Sequence, residues 1–149
     1  MVRVRLTAEY VGVMELDEAR EYVRTHHRAV LGTLKADGTP QMSPVTVGVQ
    51  EGGRLVVSSR ETAYKVRNLR RDPRVWLCVI PDEFFGRWIQ VGGRAEIVSL
   101  PDAMPGLEDY YREISGEHPD WDDYRAAMER ERRVLVRIEL EQAGPDRSG

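Results

Sequence analysis

The stretch "RVWLCVIP", residues 74–81, alternates Val75, Leu77 and Val79 with Trp76, Cys78 and Ile80, so both faces that a strand would present are apolar. Such a strand needs cover on both sides. The neighbouring strands are joined by short turns, and the chain has only 149 residues. The second cover is therefore expected to be another subunit or a flat ligand, not a layer of crossover helices.

The remaining elements fit that reading. Residues 15–28, "ELDEAREYVRTHHR", carry acids first and bases last, which complements a helix dipole and predicts a helix. "AVLGTLK" and "PQMSPVTVGV" flank "ADGT", whose Asp37 and Gly38 suit a tight turn. "QEGG" separates the second of these from "RLVVSS". "RWIQVGGRAEIV" is a long strand in which Gly92 and Gly93 allow a bend or bulge. Two helices follow, with Leu107, Tyr111 and Ile114, then Trp121, Tyr124 and Met128, at the spacing of packed faces. "VLVRIEL" closes the chain as a strand.

Strands joined mostly by turns and interrupted by brief helices predict an α+β fold with about six mainly antiparallel strands in a closed or nearly closed barrel. One domain over 1–149 is expected, with its core at about 15–140 and the tail 141–149 frayed. The single cysteine, Cys78, allows no internal disulfide, fits a reducing compartment and reads as a buried filler. The opening residues show no apolar segment of secretory type and no long uncharged apolar run follows, which predicts a cytoplasmic protein without a signal peptide or membrane span. A net charge of -3 weighs against a nucleic-acid surface spread over the whole domain.

The stretch from Ser58 to Arg74 is different: it gathers Lys65, Arg67, Arg70, Arg71 and Arg74 just behind a strand. Thr62 reads as the N-cap of a helix running to Arg71, since Pro73 forces its predecessor out of helical geometry. That puts Ala63, Tyr64 and Lys65 in the first turn, where free N–H groups make the field positive. A lysine is opposed there unless an anion sits between it and the dipole. Ser58 and Ser59 bring hydroxyls to the same place. Asn68, three positions on, is expected on the face of Lys65, with Val66 and Leu69 turned to the core. Three readings stay open on spacing alone: a solvated face, a site for a phosphate-bearing small molecule, and a nucleic-acid patch. The last is the weakest, because only Tyr64 and Trp76 are interleaved aromatics.

Taken together, "VLGTLKADGTPQMSPV", "LVVSS", "YKVRNLRRDPRVWLCV", "WIQVGGRAEIV" and "YYREISGEHPDWDDYR" resemble the flavin and deazaflavin oxidoreductases that share the split β-barrel of pyridoxamine 5'-phosphate oxidase. Within them the chain is most similar to the branch that uses the deazaflavin coenzyme F420. The resemblance covers about Ala29 to Leu140, and it implies a homodimer with two cofactor sites between the barrels. It also implies that Tyr64, Lys65 and Asn68 lie at the cofactor's phosphate and tail, with Ser58 and Ser59 helping from the strand end. Gln41, Ser43 and Pro44 would lie along the flat ring, and Trp88 would supply a wall from a facing strand. Two departures bear on cofactor choice. Ala63 and Tyr64 stand where related chains often present an arginine, leaving Arg60 or Arg67 to replace it. Pro44 removes an N–H near the ring.

The chemistry implied is a hydride transfer between the deazaflavin and a small organic substrate; the protein's share is binding and orientation. No constellation for side-chain catalysis is visible, and no catalytic residue is assigned. There is no "GxSxG", no Walker lysine loop and no paired-cysteine metal site. His26 and His27 are adjacent and would diverge on a helix, and His118 reads as a turn residue. The alternatives are an FMN-dependent enzyme of the pyridoxamine-phosphate oxidase type and a non-catalytic carrier of flavin, deazaflavin or haem.

Overall fold

A computed structural model describes residues 14–148, so residues 1–13 and 149 of the expected single domain lie outside the described residues. Helix α1 (Leu16–Thr25) opens the described chain and is followed by strands β1 (Arg28–Leu34), β2 (Pro40–Thr46), β3 (Gly48–Val49) and β4 (Leu55–Arg60). Helix α2 (Tyr64–Arg71) leads into β5 (Arg74–Ile80) and β6 (Arg87–Val98). Helices α3 (Met104–Ser115) and α4 (Trp121–Arg130) precede the last strand, β7 (Arg133–Ser148). The seven strands form one antiparallel sheet in the order β2-β1-β5-β6-β7-β4-β3, curled into a split barrel of the α+β class.

Helix α1 ends at Thr25, short of the expected boundary at 28, because Arg28 is already paired with Thr46 on one side and Ile80 on the other. The first hairpin turns at Gly38, with φ +85°. Asp37 accepts from the amide and the hydroxyl of Thr39, and these bonds hold its carboxyl below the ordinary carboxylate range.

Seven strands stand where about six were expected. The segment "PQMSPVTVGV" breaks at Val47, whose amide donates to the His27 carbonyl, and Gly48–Val49 then pairs with β4 instead of β1. The predicted bulge is present: register shifts between Ile89 and Val91 and between Gly92 and Gly93. A Cβ on Gly93 would lie 2.0 Å from the Glu139 carbonyl oxygen, so only glycine lets β7 come so close. The tail expected to fray instead continues β7 to Ser148, opposite Arg87. The 12-residue β6 presents backbone donors and acceptors along its whole length, and the tail is what satisfies them.

Two hydrophobic clusters flank the sheet unequally. The inner one holds Leu31, Leu55, Val57, Leu77, Val79, Ile89 and Val136 inside the curl. The second packs α3 and α4 on the back of β4 and β7 through Val56, Leu107, Tyr124 and Leu135, joined by Tyr111, Trp121 and Met128. Strands β4 and β7 are thus covered on both faces. The back of β1, β5 and β6 is not: Val30, Trp76, Cys78 and Trp88 stay half-exposed there and Met42 of β2 is 65% exposed. Cys78, read as a buried filler, lies on this back face, and partial burial raises its thiol pKa.

Candidate functional site

The site is built around the start of α2. Its N-cap is Ala63, not Thr62, and no side chain caps it. Strand β4 runs on to Arg60, and the turn that follows, closed by the Ala63 amide on the Arg60 carbonyl, places Thr62 one residue too early. In the first turn the Val66 amide donates to the Ala63 carbonyl at 3.1 Å, which leaves those of Tyr64 and Lys65 to water or to a ligand.

Lys65 sits in that turn. It is half-buried, and burial first and the Arg133 charge second push its ammonium below the usual lysine pKa. No carboxylate among the described residues pairs with it. Arg133 faces Arg60 across the β4–β7 pairing, and Glu131 bonds both, at 2.8 Å to Arg133 Nη2 and 3.3 Å to Arg60 Nη2. The rest of the basic stretch is spoken for. Arg70 bonds Glu61 at 2.6 Å and Ser99 Oγ at 3.1 Å. Arg71 donates to the Leu34 carbonyl at 2.8 Å, and Arg74 binds Asp72 at 2.8 Å, holding the Asp72 carboxyl at about 2. Arg67 lies 5.8 Å from the centroid of the Tyr64 ring.

Lys65 opens into a groove of about 1040 Å³ lying where the barrel is split, between β1–β2 and β4 and under α3 and α4. Among the described residues its lining carries four cations, Arg28, Arg60, Lys65 and Arg133, and no carboxylate. Ser58 and Ser59 lie beside Arg60, Lys65 and Arg133, whereas Val30, Pro44 and Ile80 line the other end together with Arg28, the register partner of Ile80. Tyr110 spans the split: its hydroxyl donates to the Thr46 carbonyl at 2.7 Å, and burial keeps its pKa above the ordinary phenol value. Tyr124 donates to the Leu107 carbonyl at 2.8 Å and is pushed up to about 12, chiefly by burial.

Of the residues singled out from the sequence, Pro44, Ser58, Ser59 and Lys65 come together in the groove. Gln41 and Ser43 lie on β2 beside Pro44, and Gln41 Oε1 and Ser43 Oγ are buried without a hydrogen-bond partner among the described residues. Asn68 is placed beneath the groove, 7% exposed, where its amide donates to Thr33 Oγ1 at 3.0 Å and its oxygen accepts from Arg71. Tyr64 is 71% exposed outside the groove, and Trp88 stands on the back of the sheet. Sequence reasoning missed Arg133 and Tyr110. The first is brought to the site by the pairing of β4 with β7, the second by α3.

Other polar clusters are structural. His118 Nδ1 accepts from the Asp120 amide at 2.9 Å in the turn before α4. Among the described residues no group of three or more His, Cys, Asp or Glu side chains is placed to hold a metal ion, and no helix is long and apolar enough to cross a membrane.

The sequence profile of the family described as pyridoxamine 5'-phosphate oxidase matches residues 16–144, and the chain belongs to that family. It is 26% identical over 125 residues to an F420H(2)-dependent biliverdin reductase of Mycobacterium tuberculosis, covering 84% of this chain and 83% of that protein. The crystal structure of a conserved hypothetical protein of Mycobacterium tuberculosis superimposes with a TM-score of 0.71 at 25% identity, over 93% of this chain and 87% of the other. The haem storage protein HutZ of Vibrio cholerae shares the fold, with a TM-score of 0.68 at 21% identity over 91% and 98% of the two chains.

Proposed function

We propose that this member of the pyridoxamine 5'-phosphate oxidase family is an F420-dependent reductase that binds the deazaflavin in the groove beside Lys65. The observation that carries the reading is the half-buried Lys65 ammonium, unpaired by any described carboxylate and next to Arg133. Arg133 and Arg60 already share the Glu131 carboxylate, whereas Lys65 has none, so an anion in the groove would give the half-buried ammonium its partner. The donor set suits a phosphate with an acidic tail: the Lys65 ammonium, the Arg60 and Arg133 guanidiniums and the Ser58 and Ser59 hydroxyls. Gln41 and Ser43, register partners of the buried Thr33 and Leu31, face the barrel interior, so β2 would meet the edge of a flat ring through its backbone beside Pro44.

When bound, a reduced deazaflavin supplies a hydride. The chain's residues do the rest. Lys65 and Arg133 fix the anionic end, which sets how far the ring reaches along β2. Pro44, Val30 and Ile80 back the ring with apolar surface and keep water from it. Tyr110 Oη, whose pKa burial raises, donates to the Thr46 carbonyl and so holds the two sides of the split together. The half-exposed back of β1, β5 and β6 is covered by a second copy, which brings Trp88 and Tyr64 of two chains towards a shared interface.

The test is a titration of the purified chain with coenzyme F420, FMN and haemin, followed by ligand fluorescence and absorbance. F420 is expected to bind tightest; tighter FMN would move the chain to the FMN-dependent class. A carrier of haem or flavin is the second reading, favoured by the fold shared with the haem storage protein. Oxidation of the reduced deazaflavin by quinones, enones, nitroaromatics and tetrapyrroles separates the two, since a carrier accelerates none of them.

A further inference from the structure

The joint between α4 and β7 sets a carboxylate among the cations of the groove. Helix α4 ends at Arg130, and Glu131 caps it by donating its amide to the Ala127 carbonyl at 2.9 Å. Arg132 then takes φ +52°, left-handed backbone that a non-glycine residue seldom adopts. Its carbonyl accepts from the Glu61 amide at 2.9 Å, which ties this turn to the end of β4. The next residue, Arg133, starts β7 directly opposite Arg60.

Like charges opposite one another on paired strands destabilise a sheet. Here one carboxylate oxygen answers both. Glu131 Oε1 accepts from Arg133 Nε at 2.9 Å and Nη2 at 2.8 Å, and from Arg60 Nη2 at 3.3 Å. These bonds, those of Arg133 first, hold the Glu131 carboxyl below its ordinary pKa. Glu61, beside Arg60 in the chain, is taken up by Arg70 at 2.6 Å.

Arg60, Lys65 and Arg133 line the groove, and Glu131 lies outside that lining. It therefore acts on a groove ligand through its charge and through the two guanidiniums it holds. Three cations and one carboxylate leave two positive charges at this end. The Nε–Nη2 edge of Arg133, one of the paired edges by which a guanidinium grips an oxyanion, is already spent on Glu131.

We propose that Glu131 is a charge-selectivity residue of the anion site: it fixes Arg60 and Arg133 and limits the positive charge at the groove's end, so that a phosphate group of low charge is favoured over a polyphosphate. The assignment rests on the groove being the anion site proposed above.

The test uses the full chain and the variants E131Q and E131D, titrated calorimetrically with inorganic phosphate and with pyrophosphate at about 20 mM salt. Gln keeps an acceptor oxygen and removes the charge, whereas Asp keeps the charge. E131Q is expected to bind pyrophosphate about fivefold and phosphate about twofold more tightly than the wild type, with both gains shrinking as salt rises. E131D is expected to keep the wild-type ratio of the two affinities. A side chain that only braced the turn would lower stability and leave that ratio alone. An unchanged ratio in E131Q, weaker binding of both anions, or a raised ratio in E131D would overturn the proposal. Circular dichroism checks folding. If E131Q is unfolded in plain buffer, added pyrophosphate is expected to refold it, and failure to do so would also overturn the proposal. A wild type that binds both anions but not coenzyme F420 overturns the cofactor reading and leaves the ratio to decide Glu131. One that binds neither anion overturns this proposal as well.

Discussion

The two ends of helix α2 carry the same kind of charge in opposite circumstances. At the C-terminal end Arg70, Arg71 and the following Arg74 each bond a carboxylate, a hydroxyl or a carbonyl, two of them where the helix dipole favours cations. At the N-terminal end Lys65 has burial and Arg133 for company, against the dipole. The density of basic residues is therefore a poor guide to function, whereas the absence of a partner is a good one. Exposed pairs such as Arg70 with Glu61 are worth little, about 0–1 kcal/mol. A desolvated cation without a partner is a cost the fold carries for a ligand.

Charge reversal at Lys65 sharpens the contrast most. K65E sets a carboxylate beside Arg133, so the urea midpoint is expected to hold or rise while F420 affinity drops by about a hundredfold or more. Loss of stability in parallel with affinity would mean that Lys65 is structural. Next in size is N68A. Asn68 lies between the two ends, and its amide serves Thr33 and Arg71, so about 1–3 kcal/mol of stability is expected to go on denaturant unfolding. Lost cofactor affinity without lost stability would instead put Asn68 in the site, where the sequence pattern had it.

The pH dependence follows from the lowered Lys65 pKa, and its sign differs for binding and folding. The folded state disfavours the ammonium, so its penalty on stability is present at lower pH and is relieved as pH rises through the folded pKa towards 10.5. Anion binding needs the ammonium and is lost over the same window. Pyrophosphate titrations above pH 8 are expected to weaken with a midpoint below 10.5, and K65R to move that loss to higher pH. Smallest is R70A, expected to cost less than about 1 kcal/mol in a denaturant melt.

Much of this was legible in short-range pattern. Asp37 and Gly38 announced the first hairpin, the alternation of residues 75–80 announced a strand with two apolar faces, and Gly92–Gly93 announced the bulge. The anomaly of Lys65 was also visible, because a helix start can be read from a strand end and Pro73. What failed to show depended on distant pairing. Arg133 reaches the site only because β7 lies beside β4, and Tyr110 only because α3 folds back over Thr46. Asn68 was read onto the face of Lys65 from the three-residue spacing, which ignores reach: the short amide ends at Thr33, while the longer lysine extends into the groove. The tail, read as frayed from its place at the chain end, pairs instead along the edge that β6 offers.

The central claim is that the groove end of α2 is an anion site and its far end is not. A fluorescence titration of coenzyme F420 into the wild type, K65A and R70A at one salt concentration tests it most directly. The account expects K65A to bind about 1–3 kcal/mol more weakly and R70A to bind as the wild type does. Equal losses in the two variants, or none in K65A, would contradict it.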